Sequence, residues 1–181
     1  LVAACRKGQA DAFQTLVERY QDRVFNAVYR MVNFEEDARD IVQETFLKVY
    51  ENLGRFRGDS AFYTWVFRIA VNQTLTYRRK ARRMKVVQAI DDDPEIPLGS
   101  TQAQRLVGPE AAMEAIETEH LVREAMESLD PDHRSAIVLR DVEGLDYQAI
   151  SDILDVPPGT VKSRIHRARM VLRDRLRDLL V

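Results

Sequence analysis

Between Phe13 and Met31 the apolar residues Phe13, Leu16, Val17, Tyr20, Val24, Ala27, Val28 and Met31 recur at three- and four-residue steps. A helix gathers such a series onto one face, so residues from about Ala10 to Met31 read as one amphipathic helix. Asn33, with Glu36 three residues on, predicts a cap for a second helix, whose stripe is Ala38, Ile41, Val42, Thr45, Phe46, Val49, Tyr50 and Leu53. Gly54 to Ser60 breaks the pattern. Asp59 or Ser60 can then cap a third helix that holds Phe62, Trp65, Val66, Ile69 and Ala70 before it turns basic. Three helices of this length enclose one core, which predicts a domain over residues 1–85.

Periodicity then stops. Asp91, Asp92, Asp93, Pro94, Pro97, Gly99, Ser100, Gly108 and Pro109 interrupt it, and residues 86–109 read as a flexible acidic linker. A second helical domain follows over 110–181. Its first helix passes through Ala115, Leu121, Val122, Ala125 and Met126 and ends near Leu129; Asp130-Pro131 is an N-cap followed by proline at the first helical position. The helix so started carries Ile137, Val138 and Val142 on one face and stops at Gly144, and Asp146 can cap a short helix with Tyr147, Ile150, Ile153 and Leu154. After Asp155-Val156-Pro157-Pro158-Gly159 comes a last helix with the apolar line Val161, Ile165, Ala168, Leu172 and Leu176. The predicted fold class is all-α, two small helical domains joined by the linker.

Composition agrees. With 7 Gly, 6 Pro and 45% hydrophobic residues in 181, collagen and wholesale disorder are excluded. The single Cys5 cannot form an internal bridge, and the longest apolar run, Leu1 to Cys5, is far short of the ~18 residues a membrane helix needs. The expectation is a cytoplasmic protein with no membrane insertion of its own.

The net charge of −2 hides a strong pattern. Arg68, Arg78, Arg79, Lys80, Arg82, Arg83 and Lys85 form a run without an acid; Val86 to Glu127 holds ten acids against Arg105 and Arg123; and from Pro158 to Arg177 Lys162, Arg164, Arg167, Arg169, Arg173, Arg175 and Arg177 oppose Asp174 alone. Two positive poles on a mildly acidic chain suit polyanion contact at two sites.

Residues 146–172 form a helix, a tight turn and a second helix, the arrangement of a helix-turn-helix, whose second helix lies in the major groove. Small Ala149 lets the helices approach, Val161 and Ile165 anchor the second, and Lys162, Ser163, Arg164, His166, Arg167 and Arg169 face outward to donate to phosphates and guanine edges. Asp155 stands where such turns usually have glycine. Aspartate tolerates the left-handed conformation better than most side chains. In the first domain, Phe56, the loop Arg57-Gly58-Asp59-Ser60, then Tyr63, Asn72, Thr76 and Arg78-Arg79-Lys80 combine rings, an amide and cations, the chemistry that holds unpaired bases. Phe62 and Trp65 are expected to be largely core.

No catalytic or metal-ligating set emerges. His120, His133 and His166 are far apart, Cys5 has no neighbouring base, and no phosphate-cradling glycine motif occurs. No cofactor is expected.

The stretches Asp40-Ile41-Val42-Gln43-Glu44-Thr45-Phe46, Phe56-Arg57-Gly58-Asp59-Ser60-Ala61-Phe62-Tyr63-Thr64-Trp65, Arg68-Ile69-Ala70-Val71-Asn72, Gly159-Thr160-Val161-Lys162-Ser163-Arg164 and Arg167-Ala168-Arg169 resemble the signatures of extracytoplasmic-function sigma factors of the sigma-70 family. The resemblance runs from about Gly8 to Leu176. It implies a bacterial protein that is not an enzyme, joins core RNA polymerase, recognises promoter DNA at its −35 and −10 elements, and is restrained by an anti-sigma factor. It places the −35 reader on the last helix, from Thr160 to Arg169, and a pocket for a flipped base around Phe56, the loop to Ser60, and Asn72; flipping costs stacking that an enclosed pocket repays. Asp40, Gln43, Glu44 and Lys48 are assigned to polymerase docking, in keeping with six acids against Arg39 and Lys48 between Glu35 and Glu51. Without the resemblance, a dimeric helix-turn-helix regulator explains residues 110–181 equally well.

Overall fold

The computed structural model describes residues 2–6, 10–88, 118 and 120–179. Among them all regular structure is helical: α1 (Val2–Cys5), α2 (Ala10–Val32), α3 (Glu35–Asn52) with a 3-10 turn Leu53–Arg55, α4 (Phe62–Gln88), α5 (residues 120–127), α6 (Pro131–Ile137) continuing into a π-turn Val138–Val142, α7 (Tyr147–Leu154) and α8 (Pro158–Leu179). The all-α expectation holds. The acidic linker predicted for 86–109 lies outside the described residues apart from 86–88, which end α4.

In the first module, α3 buries Ala38, Ile41, Thr45, Phe46 and Val49, and α4 answers with Val66, Phe67, Ala70 and Val71. The two buried hydroxyls are satisfied locally: Thr45 donates to the Ile41 carbonyl at 2.7 Å and Thr74 to Ala70 at 2.8 Å. Tyr50, expected on the stripe, is 60% exposed. It stands one residue past Val49, about 100° round the helix, and its ring meets Phe13 edge-on at 5.0 Å.

The expected cap at Asn33 is also corrected. Phe34, in extended conformation, precedes α3 without a side-chain cap, while Asn33 has φ of 66° and closes α2 by donating its N–H to Tyr29. Left-handed asparagine after a helix is a C-terminal stop, and the same residue type serves at either end. Before α4, too, the flanking residue is Ala61 rather than Asp59 or Ser60; its carbonyl accepts the Trp65 N–H at 3.2 Å.

In the second module, Asp130 caps α6 through the Asp132 N–H with Pro131 in the first turn, and Asp146 caps α7 through the Ala149 N–H at 2.8 Å. Between them Glu143 N–H reaches back five residues to Val138. This wider turn rotates Val142 outward, to 47% exposure, where unbroken α-helical spacing had placed it beneath Val138. Asp155 ends α7 in the left-handed region (φ 54°, ψ 48°).

The modules do not stand apart. Val24, Val28, Met31, Phe67 and Val71 belong to the same buried cluster as Ala136, Leu139, Ile150, Ile153 and Ile165, with α4 lying on α7 and α2 against the π-turn and α6. Arg134, only 2% exposed, ties them: it donates to the Met31 carbonyl at the end of α2 (3.0 Å) and to the Glu127 carbonyl at the end of α5 (2.7 Å). A cation at two helix C-termini also meets the negative ends of both macrodipoles.

Candidate nucleic-acid interface

In α8 the period of 3.6 residues divides the side chains cleanly. Val161, Ile165 and Ala168 are buried, and Lys162, Ser163, His166 and Arg167, at steps of one, three and one, are exposed together. Thr160 sits in the first turn, and its carbonyl accepts the Ser163 hydroxyl at 2.9 Å. Pro157, Pro158 and the left-handed Asp155 set the angle at which the helix leaves the turn.

Two predicted readers are engaged elsewhere. Arg164 is half-buried and pairs with Asp132 of α6 at 2.5 Å, so it fastens α8 to its own module. Arg169 grips Asp141 with two hydrogen bonds, of 3.1 and 2.5 Å, which raise its pKa above the ordinary arginine value. The four exposed residues nearer the turn stay open to solvent.

On α4 the basic track also divides. Arg68, Asn72, Thr76, Arg79 and Lys80 are exposed at near four-residue spacing and form one line. Arg78 points elsewhere and donates to the Met31 carbonyl at 3.0 Å. Tyr63 is half-buried against Phe67, ring centroids 4.4 Å apart, and its hydroxyl donates to Glu143 of the second module at 2.5 Å. Burial, followed by that hydrogen bond, raises the Tyr63 pKa well above the usual phenol range.

The loop that feeds α4 is open to solvent: Arg57, Gly58, Asp59 and Ser60 are all exposed, and Gly58 has φ of 86°, a conformation a side chain would strain. Phe56 is half-buried with its ring 5.3 Å from Phe62 and 5.2 Å from Trp65. The three rings form one cluster, so Phe62 and Trp65 serve as the wall behind Phe56 as well as core. A cleft of about 550 Å³ opens between this loop and the helix-turn-helix turn, lined by Asp59, Ser60, Trp65 and Arg68 on one side and Asp152 and Asp155 on the other.

Asp40, Gln43 and Glu44 are exposed on one face of α3, and Lys48 reaches Glu44 at 3.4 Å. Leu47 and Tyr50, 58% and 60% exposed, give this acidic face an apolar strip. Behind it Tyr77 of α4 donates to Asp37, and burial together with that bond pushes its pKa up to about 12.

Sequence patterns had not singled out Arg23, Glu143, Glu127 or Arg134, which join the modules, and had read Asn33 only as a cap. Arg23 reaches Tyr63 and Glu143 at 2.9 and 3.1 Å, and the Asn33 amide donates to Glu127 at 2.7 Å. Only Arg134 left a signal, a lone cation beside the apolar run Ala136-Ile137-Val138-Leu139.

Among the described residues no cluster of histidine, cysteine or carboxylate side chains is arranged to hold a metal, and no helix is long and apolar enough to cross a membrane.

Comparison with known proteins gives matches along the whole chain. Family models described as Sigma-70 region 2 and Sigma-70, region 4 match residues 16–84 and 119–172. The RNA polymerase sigma-H factor of Pseudomonas aeruginosa is 39% identical over 99% of this chain and 94% of its own length. The ECF RNA polymerase sigma-E factor of Escherichia coli K12 is 41% identical over the same shares. Among solved structures, the sigma factor RpoE in complex with the anti-sigma factor NepR from Bartonella quintana has a similar fold, with a TM-score of 0.75 at 23% identity over 93% of this chain and 98% of that one. CnrH in complex with the cytosolic domain of CnrY gives 0.70 at 25% identity over 98% and 95%.

Proposed function

We propose, on the premise that this chain belongs to the extracytoplasmic-function group of the sigma-70 family, a division of work between its two modules in directing transcription initiation. The second reads the −35 duplex with Lys162, Ser163, His166 and Arg167 in the major groove and Thr160 at the entrance, while Arg164 and Arg169 hold the helix and add positive potential. The first binds the unpaired −10 strand along Arg68, Asn72, Thr76, Arg79 and Lys80, with one extruded base held between Phe56 and the loop Arg57 to Ser60. Asp40, Gln43, Glu44 and Lys48 dock on core RNA polymerase, and Leu47 and Tyr50 supply apolar contact beside them. An anti-sigma factor restrains the chain, as the similarly folded sigma factor RpoE in complex with the anti-sigma factor NepR suggests. No step is catalytic, no cofactor takes part, and the work is done on polymerase in the bacterial cytoplasm.

The observation that carries this reading is the exposure of the four polar side chains on α8 directly opposite its buried Val161, Ile165 and Ala168. Transcription by core polymerase on a promoter library tests it: addition of this chain yields initiation at promoters sharing one pair of elements, and the two proteins elute as a one-to-one complex. A dimer that binds operator duplex and ignores polymerase contradicts it.

A further inference from the structure

His166 is the one histidine of α8, and it stands on the exposed face of that helix. Lys162 lies one turn before it, Arg169 one turn after it, and Arg167 beside it in sequence, so its own helix surrounds the ring with cations. No carboxylate on the neighbouring elements is left over to balance them. Asp132 of α6 is bonded by Arg164, and Asp141 of the π-turn by both Nε and an outer nitrogen of Arg169. Asp146 accepts the Ala149 N–H at the start of α7, Asp152 accepts from Gln148 further along it, and Asp155 of the turn lies beside Arg68. On α8 itself Asp174 is held by Arg173. The other titratable groups of these elements offer no carboxylate: they are His133 and Arg134 of α6, and Arg140 of the π-turn, which lies over the Tyr147 ring of α7 at 5.0 Å. Among the described residues no hydrogen bond or ion pair engages the His166 imidazole.

Histidine is the side chain that changes charge between about pH 5 and pH 8. Set among cations, with every nearby carboxylate engaged elsewhere, this one gains a counter-anion only from outside the chain. A duplex read by α8 supplies it, since phosphates border the groove in which such a helix lies. The two forms of the ring also differ as donors. Protonated imidazole donates from both nitrogens, to a phosphate or to N7 and O6 of guanine, whereas the neutral ring keeps one donor and one acceptor. We propose that His166 makes duplex recognition proton-linked: the −35 duplex is bound with uptake of a proton at His166, and recognition weakens as pH rises through the histidine range. An anion favours the charged ring, so the contribution of His166 is complete below that range and lost above it. The inference rests on the function proposed above, and it gives promoter recognition by this chain a dependence on the pH around it.

The test uses the full chain assembled with core polymerase and an upstream duplex, ending short of the −10 element, from a promoter that the two transcribe together. Affinity is measured at constant ionic strength from about pH 5 to pH 8. Each variant is compared with wild type at the same pH, which cancels the titration of the polymerase. Over that range wild-type affinity falls on the order of tenfold more than that of His166→Gln, which keeps a donor and an acceptor but does not titrate. His166→Arg, charged throughout, holds at pH 8 the affinity that wild type shows in acid. His133→Gln follows the wild-type curve. Parallel curves for wild type and His166→Gln overturn the proposal, as does a loss of the pH dependence in His133→Gln. Lys162→Ala then tells which part has failed. If it weakens binding at every pH, α8 reads the duplex and the proton linkage alone is wrong; if it too has no effect, α8 is not the reader and the function proposed above falls with it. A chain that directs no initiation from any promoter defeats both.

Discussion

The face of α8 and the face of α4 are both cationic, both helical and both assigned to DNA in the proposed function, yet they meet the rest of the molecule differently. Lys162, Ser163, His166 and Arg167 lie open to solvent. On α4, Tyr63 is covered by Glu143, and Arg68 lies 3.9 Å from Asp155 of the helix-turn-helix turn. The packed arrangement thus leaves the polar face of α8 open and sets Arg68, at one end of the exposed line on α4, beside the second module. The contrast follows from where the apolar surface lies: α4 is sandwiched between α3 and α7, so part of its outer face must serve as core, whereas α8 is held along one side by Val161, Ile165 and Ala168, with Arg164 and Arg169 paired beside them.

The most forceful way to break the contrast is Arg134→Met. It strips the Met31 and Glu127 carbonyls of a buried cationic donor, which should cost about 3 kcal/mol and uncouple the modules. Differential scanning calorimetry should show one transition splitting into two; a single peak, barely shifted, would mean that the modules are held by other contacts.

Lys162→Ala and Arg167→Ala sharpen it from the other side. Each should weaken holoenzyme binding to upstream duplex by roughly 1–3 kcal/mol if it reads a base and leave single-strand affinity unchanged. Equal losses on both DNA forms would dissolve the distinction between the faces.

At the turn, Asp155 combines a left-handed backbone with its reach toward Arg68. Asp155→Ala should destabilise by about 1 kcal/mol through backbone strain, while Asp155→Gly, which relieves strain and loses only an exposed ion pair, should stay within about 0.5 kcal/mol of wild type. If glycine costs as much as alanine in chemical denaturation, the ion pair outweighs the turn.

The smallest effect is on pH. Tyr77 has its pKa raised to about 12 from an ordinary 10, so it is protonated and donating to Asp37 in the fold. Its stabilisation is complete below pH 10 and is lost as pH climbs through about 12. Tyr77→Phe should flatten that part of the stability profile; an unchanged slope assigns the loss to other phenols.

Much of this architecture was legible in the sequence because it is governed by local chemistry. Asp130-Pro131, Asp146 and the left-handed aspartate at 155 act through bonds to residues nearby in the chain, and the α8 stripe follows from helical period alone. What escaped depends on partners remote in sequence or on a broken period. Asn33 could cap a following helix or close a preceding one, and a composition rule does not choose. Val142 left its expected face when the π-turn added width. Arg164 has the residue type of a DNA reader, and only the position of Asp132, across the module, diverts it. The Arg23–Tyr63–Glu143 cluster was least legible of all, since its three residues lie far apart in the sequence.

The claim that the chain rests with its modules on one core and parts them to use both faces is open to direct measurement. Spin labels at Arg19 and Arg175, both exposed, in a Cys5→Ser background report the distance between α2 and the end of α8. The free protein should give one narrow distribution that is replaced by a longer distance in the holoenzyme. A broad distribution in the free protein, or the same narrow one with polymerase bound, would contradict the account.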